Sequence, residues 1–208
     1  DDIGFSFAPR INAASRMDEP EIAFTLLTTI NADEAEKCAS HLESLNRKRR
    51  GAVAAIVREA KSRARARFTT HDKVIVLGDV QWKPALMGLA ANSLMEDRGG
   101  VVLMWGRDAN GKLKGSARSD GSLSVVELFA KSAVFEEFGG HHASGGFTVS
   151  HEAVHTLHES LARAADALQE SAKEVVIAQT DADLSLAQVT TVLLKELSCM
   201  APFGMGNP

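Results

Sequence analysis

The chain has 208 residues, is 45% hydrophobic and 24% charged, and carries a net charge of −4. That composition suits a globular protein with a sizeable core and excludes overall disorder. Its apolar runs fall far short of the roughly 20 residues a spanning helix needs, and its two cysteines, Cys38 and Cys199, cannot build a disulfide framework, so no membrane partner and a reducing, cytoplasmic setting are expected.

Residues 1–18 carry Gly, Pro and Asn punctuation without a sustained period, and predict a loop or the tail of a preceding domain. The chain opens on Asp1-Asp2 without a Met, so a fragment of a longer protein is expected. Residues 20–29 suit a short helix. Asn31 followed by Glu34 forms a capping-box pattern. From there to Phe68, Ala35, Cys38, Leu42, Leu45, Val53, Ile56, Ala60 and Ala64 keep helical spacing. The spacing predicts one helix of about 37 residues, roughly 55 Å long, which suits a connector between domains.

An α/β alternation follows. Strands are expected at 73–78 (KVIVLG), 100–105 (GVVLMW), 112–119 (KLKGSARS) and 147–149, and helices at 85–97, 125–138 and 151–169. The pattern predicts a mixed, partly parallel sheet flanked by helices. A further strand is expected over 173–183 and a helix from Ser185 to about Met200.

Charge is unevenly spread. Between Asn46 and Arg67 lie nine Lys or Arg and one Glu, whereas 151–187 holds seven Asp or Glu and two Lys or Arg. A basic stripe on an acidic protein points either to a polyanion contact or to a solvated helix face.

Four segments carry candidate chemistry. In FGGHHASGG, Gly139, Gly140, Gly145 and Gly146 leave the backbone open to close approach, as in an anion nest, and His141 can donate to a phosphate oxygen. In GSARS, Ser116 and Arg118 are two apart on a strand and share a face, with Ser119 next to them; a hydroxyl beside a guanidinium fork suits phosphate. In PRINAASR, Arg10, Asn12 and Arg16 can reach a cleft between domains. The loop 78–84 ends a predicted parallel strand, where α/β proteins place ligands, although Trp82 fits a packing role better than base stacking. His151, His155 and His158 stand at helical spacing for a metal, but with no carboxylate or thiol placed beside them a surface face is the better reading, and Asp181 and Asp183 read as a solvated strand end.

In this order the motifs resemble the RecJ-type single-stranded-DNA-specific exonucleases of the DHH phosphoesterase superfamily. The matching stretches are APRINAASR, the 32–68 helix, GDVQWKPALMG, GSARS, FGGHHASGG and MAPFGMGNP. The resemblance implies a metal-dependent exonuclease that degrades single-stranded DNA from the 5′ end in repair and recombination. It implies Mn2+ or Mg2+ in a catalytic domain upstream, with no metal held by this chain. It divides the chain into the tail of that domain (1–30), a connector helix (31–68), a DHH-associated substrate-binding domain (69–170) and the start of an oligonucleotide-binding barrel (171–208). Single-stranded DNA is then the substrate, and single-stranded-DNA-binding protein and a helicase are partners of the full-length enzyme. The resemblance assigns phosphate binding to Arg10, Ser116 and Arg118. It makes the turn at Gly139, Gly140, His141, Gly145 and Gly146 the group that presents the scissile phosphate, with His141 catalytic. Ala8, Ser15, Lys83, Ala85 and Ser144-Gly145 depart from the family pattern. Two other functions stay open at this point: a phosphodiesterase for short oligonucleotides or cyclic dinucleotides, and a non-catalytic nucleic-acid-binding module.

Overall fold

A computed structural model describes residues 2–171, 182–201 and 203. They belong to two units, divided between Ala172 and Lys173. In the first, a π-helical turn (Asp2–Phe7) leads into α1 (Ala8–Arg16), α2 (Pro20–Thr28) and α3 (Ala32–Arg67). The loop expected over 1–18 is therefore helical. Pro9 sits in the first turn of α1, where its missing N–H costs nothing. Ala13 and Ala14 are wholly buried with Leu42 and Leu45, so tertiary packing rather than local propensity makes this helix.

The long helix forms as its spacing predicts. Asn31 Oδ1 accepts the Asp33 and Glu34 amides at 2.9 and 3.2 Å, and Arg65 and Arg67 complement the dipole in the last turn. Its 36 residues span ~54 Å. Leu42 and Leu45 on its first half pack with α1 and α2. Ile56, Ala60 and Ala64 on its second half pack against the sheet layer.

That layer has five strands: β1 (Val74–Gly78), β2 (Val101–Arg107), β3 (Leu113–Ser119), β4 (Glu137–Gly140) and β5 (Ser144–Val149). Their order is β1-β2-β3-β5-β4, with β1 and β2 parallel and the other pairs antiparallel. This is the mixed, partly parallel sheet that the alternation predicts. Ile75, Leu77, Val102 and Met104 face α3 and α4 (Pro84–Arg98). Val74, Val76, Val101, Leu103, Phe147 and Val149 face α5 (Val125–Ser132) and α6 (Leu157–Ser171). Trp82 is buried in the α3–α4 core, its Nε1 donating to Glu59 at 3.2 Å and its ring under the Arg63 guanidinium. It is a packing residue.

Two element boundaries differ from expectation. The helix expected over 125–138 stops at Ser132, because Ala133 turns left-handed at φ 52°. The chain then runs extended as Phe135 and Phe138 pack onto the Phe129 ring. The helix expected from His151 begins at Leu157, after a 3-10 turn at Ala153–His155. Its histidines part company: His151 Nε2 lies 3.0 Å from the Gly111 carbonyl, whereas His158 packs edge-on to Phe68.

His158 supplies a pH prediction. Burial, then the Arg67 charge, pushes its pKa down, and its Nδ1 is buried without a partner. The folded state favours the neutral ring, so this stabilisation is present above the unfolded pKa near 6.5 and is lost as pH falls. Denaturant midpoints should drop from about pH 7.5 to about pH 5.5. His158→Phe should flatten that slope; an equal slope in both proteins would contradict it.

In the second unit the described residues hold a 3-10 turn (Leu186–Gln188) and α7 (Thr191–Ser198), which Thr190 caps by accepting the Leu193 amide. Of the strand expected over 173–183 only Ala182 and Asp183 are described, and they are irregular; the described residues of the expected barrel start, 171–208, hold no strand.

Candidate functional site

Ser116 and Arg118 are two apart on β3 and share a face, as the alternation predicts. That face meets α4 at Gly88. A Cβ on Gly88 would lie 2.8 Å from Arg118 Nη2 and 3.5 Å from Ser116 Oγ. A bare helix position thus lets the guanidinium lie against α4, where Nη1 donates to the Ala117 carbonyl at 2.7 Å. Arg16, at the end of α1, reaches the same helix and donates to the Ala85 carbonyl at 2.6 Å.

Electrostatics ties a third guanidinium to this pair. Burial lowers the Arg118 pKa, and the Arg16 charge lowers it further. Burial likewise lowers Arg49, followed by the charges of Arg16 and Arg50. Arg16 therefore stands within charge range of both. Among the described residues no carboxylate pairs with Arg16, Arg49 or Arg118. Arg49 Nε is also buried without a partner. Burial disfavours the charge on Arg49 and on Arg118, Arg16 repels both, and an anion bound among them would relieve that cost. Arg49 was not a sequence candidate. It stands in the run Arg47-Lys48-Arg49-Arg50, where composition cannot tell the inward residue from its solvated neighbours.

The glycine-rich segment is a hairpin rather than a free turn. Gly140 pairs with Gly145 and Gly139 with Gly146, and the His141 amide donates to the Ser144 carbonyl at 2.7 Å. Gly140 sits at φ +150°, and a Cβ there would lie 2.3 Å from the Ser144 carbonyl oxygen. The hairpin engages the His141 amide, and its glycines leave an open floor. A Cβ on Gly139 meets nothing within 4 Å, and one on Gly146 meets its nearest atom at 3.8 Å.

Register connects this floor to the guanidinium cluster. Ser116 pairs with Gly146, which pairs with Gly139. Arg118 pairs with Ser144, which accepts from His141. Directly paired residues share a face, so Ser116, Arg118, Ser144, Gly146 and Gly139 lie on one side of the sheet. His141 continues that row, about 10 Å from Arg118 across two strand spacings. A hollow of about 430 Å3 opens at the other end of this face, beyond Gly146, lined by Pro84, Lys114, Glu137 and Thr148 among others; neither Arg118 nor His141 lines it.

The remaining candidates lie elsewhere. Arg10 on α1 is committed to Glu43 at 2.8 Å. Asn12 on the same helix is exposed. Ser119 is buried at the end of β3, its hydroxyl donating to the Leu123 carbonyl at 2.7 Å and accepting the Gly121 amide, so it has no open side for phosphate. Gly145 faces the opposite core, where a Cβ would crowd Val125 and Phe129. Among the described residues no group of three or more His, Cys, Asp or Glu could hold a metal ion. Those side chains do not fit a divalent-metal centre, and no chemical step is assigned through a metal here.

Gly88 gives a further prediction. Gly88→Ala adds helix propensity of about 1 kcal/mol yet pushes Arg118 Nη2 aside. Phosphate affinity of a protein carrying the change should fall about fivefold, ~1 kcal/mol, with the melting temperature unchanged or raised. Unaltered affinity would show that the guanidinium position is immaterial.

A DHHA1 domain model matches residues 71–176, half of the chain. The chain belongs to the DHHA1 domain family. Over its whole length it is also similar to RecJ proteins. It is 28% identical to the single-stranded-DNA-specific exonuclease RecJ of Bacillus subtilis, covering 99% of this chain and 26% of that protein. It is 29% identical to the exonuclease of the same name from Thermus thermophilus, covering 100% of this chain and 29% of that protein. The chain thus spans between a quarter and a third of these two relatives. The crystal structure of RecJ in complex with Mg2+ from Thermus thermophilus superposes with a TM-score of 0.76 at 29% identity, over 100% of this chain and 32% of that one. A structure of exonuclease RecJ bound to manganese gives 0.70 at 30% identity, over 84% of this chain and 43% of that one. Over its whole length this DHHA1-containing chain is thus similar in sequence and fold to RecJ proteins.

Proposed function

We propose that the chain is the substrate-binding part of a divalent-metal-dependent exonuclease that degrades single-stranded DNA from its 5′ end in repair and recombination. The observation that carries this reading is the cluster of Arg16, Arg49 and Arg118, three guanidinium groups without a carboxylate among the described residues, opening onto a glycine floor. A terminal phosphate supplies the missing negative charge. Arg118 grips two of its oxygens with its fork, Ser116 donates a hydroxyl hydrogen, and Arg16 and Arg49 stabilise the remaining charge. His141, two strands across from Arg118 beside Ser144, reaches the next phosphodiester. There its ring N–H donates to a phosphoryl oxygen as charge builds on it. Gly139 and Gly146 leave room for the backbone of the strand. Divalent metal would be held outside these residues and would supply the activated water from there. The 69–170 segment serves as the substrate domain on this reading, the preceding helix as connector, and single-stranded-DNA-binding protein and a helicase as partners of the whole enzyme.

The test uses the full-length protein that contains this chain, with Mn2+ and internally labelled oligonucleotides. Long single strands should be shortened from the 5′ end and blunt duplexes spared. Activity confined to dinucleotides or cyclic dinucleotides would overturn the reading in favour of a short-substrate phosphodiesterase. Binding without hydrolysis would make the chain part of a non-catalytic module.

A further inference from the structure

A second feature adjoins the guanidinium cluster at Arg49 but is built from other residues of α3 and α4. Between α3 and α4 runs an open groove of about 1140 Å3. Its floor is aliphatic, with half-buried Val53 and Val57 from α3 and Leu89 from α4. Its rim is cationic, with Arg50, Arg58 and Arg65 exposed along α3. Lys61 in the same groove pairs with Asp97 at 3.0 Å. Among the described residues Arg50 and Arg58 have no carboxylate ion pair, and Arg65 stands within charge range of Asp97 without closing a salt bridge to it. From Arg49 to Arg65 the groove follows the helix for ~24 Å.

We propose that this groove docks an acidic amphipathic α-helix of a partner protein. Two helices with an apolar valley between them accept a third whose ridge of leucine-like side chains fills the valley. Glutamates or aspartates flanking that ridge meet Arg50, Arg58 and Arg65. Rim and floor are then satisfied by one ligand. A nucleic-acid strand would satisfy the rim alone: its bases gain most from aromatic platforms, and none of the residues lining the groove is aromatic. Charge complementarity also makes the contact salt-sensitive, because the rim is exposed.

The test uses the full-length protein and a fluorescein-labelled synthetic helix of about 16 residues, enough to follow the groove. Leucines form one face of the peptide and glutamates flank them; a scrambled peptide of equal composition is the control. Anisotropy titrations should show the patterned peptide binding at least tenfold more tightly than the scrambled one. Arg58→Glu combined with Arg65→Glu should weaken it tenfold or more, and a lysine-flanked version of the peptide should regain affinity for that variant. Both changes are at exposed positions, and circular dichroism melts confirm folding. Equal binding of the scrambled peptide would overturn the proposal. So would absence of binding, which would mean that the rest of the full-length chain fills the groove. Displacement by a (dT)20 strand whose own affinity depends on Arg58 and Arg65 would reassign the groove to nucleic acid and overturn it as well.

Discussion

Arg118→Ala in the full-length enzyme is expected to lower kcat/KM on 5′-phosphorylated single strands at least tenfold, about 1.4 kcal/mol or more. Hydrogen bonds from a charged donor contribute about 1.5–3 kcal/mol each, and the fork can make two. Arg118→Lys should rescue little, because a single ammonium cannot span two phosphate oxygens. The defect should shrink on 5′-hydroxyl strands, which lack the group that the proposed function assigns to Arg118. Stability should move the other way. Burial and Arg16 both disfavour the charged guanidinium, so its removal relieves repulsion and leaves the melting temperature unchanged or higher. A misfolded variant would instead lose activity on both substrates and melt early. An unchanged rate on the phosphorylated strand would remove Arg118 from the site.

Much of this arrangement is legible in the residues, for identifiable reasons. The long helix is legible because Asn31 caps it and its apolar positions keep a helical period over many turns. The face shared by Ser116 and Arg118 is legible because strand alternation has a fixed period of two. The missing parts depend on contacts made at long range. The first helix, α1, is anchored by two buried alanines, which carry little periodic signal. Strand β4 consists of Glu137, Phe138 and two glycines, residues of mixed strand propensity, and exists through pairing with β5 and the seat of Phe138 on Phe129. Arg49 is chosen from four consecutive basic residues only by the direction its helix turns it. Ser119 shows the converse: the motif around it matches, yet alternation carries it to the buried side of the sheet.

Phe129→Ala is expected to cost about 3–5 kcal/mol of stability, the range for deleting a fully buried phenylalanine, measured as a shift in denaturant midpoint at constant m-value. Phe129 has no exposed surface, and its ring meets Phe135, Phe138 and Phe147 at centroid distances of 4.5, 5.7 and 5.7 Å. Part of the loss should be local. Phe138 sits on edge strand β4 and is 45% exposed, so Phe129 and Phe135 are what hold that edge against the core. Without Phe129, the hairpin carrying Gly139, Gly140 and His141 should open more readily, and its amides should exchange faster than those of β1 and β2. Phe138→Ala separates the two effects: it should speed the same exchange while costing less global stability, because much of its ring already meets water. A Phe129→Ala loss below about 1 kcal/mol would show that the surrounding rings collapse to fill the space. Unchanged exchange at His141 would show that the hairpin is held by its ladder alone, and that the aromatic cluster does not position the phosphate-facing turn.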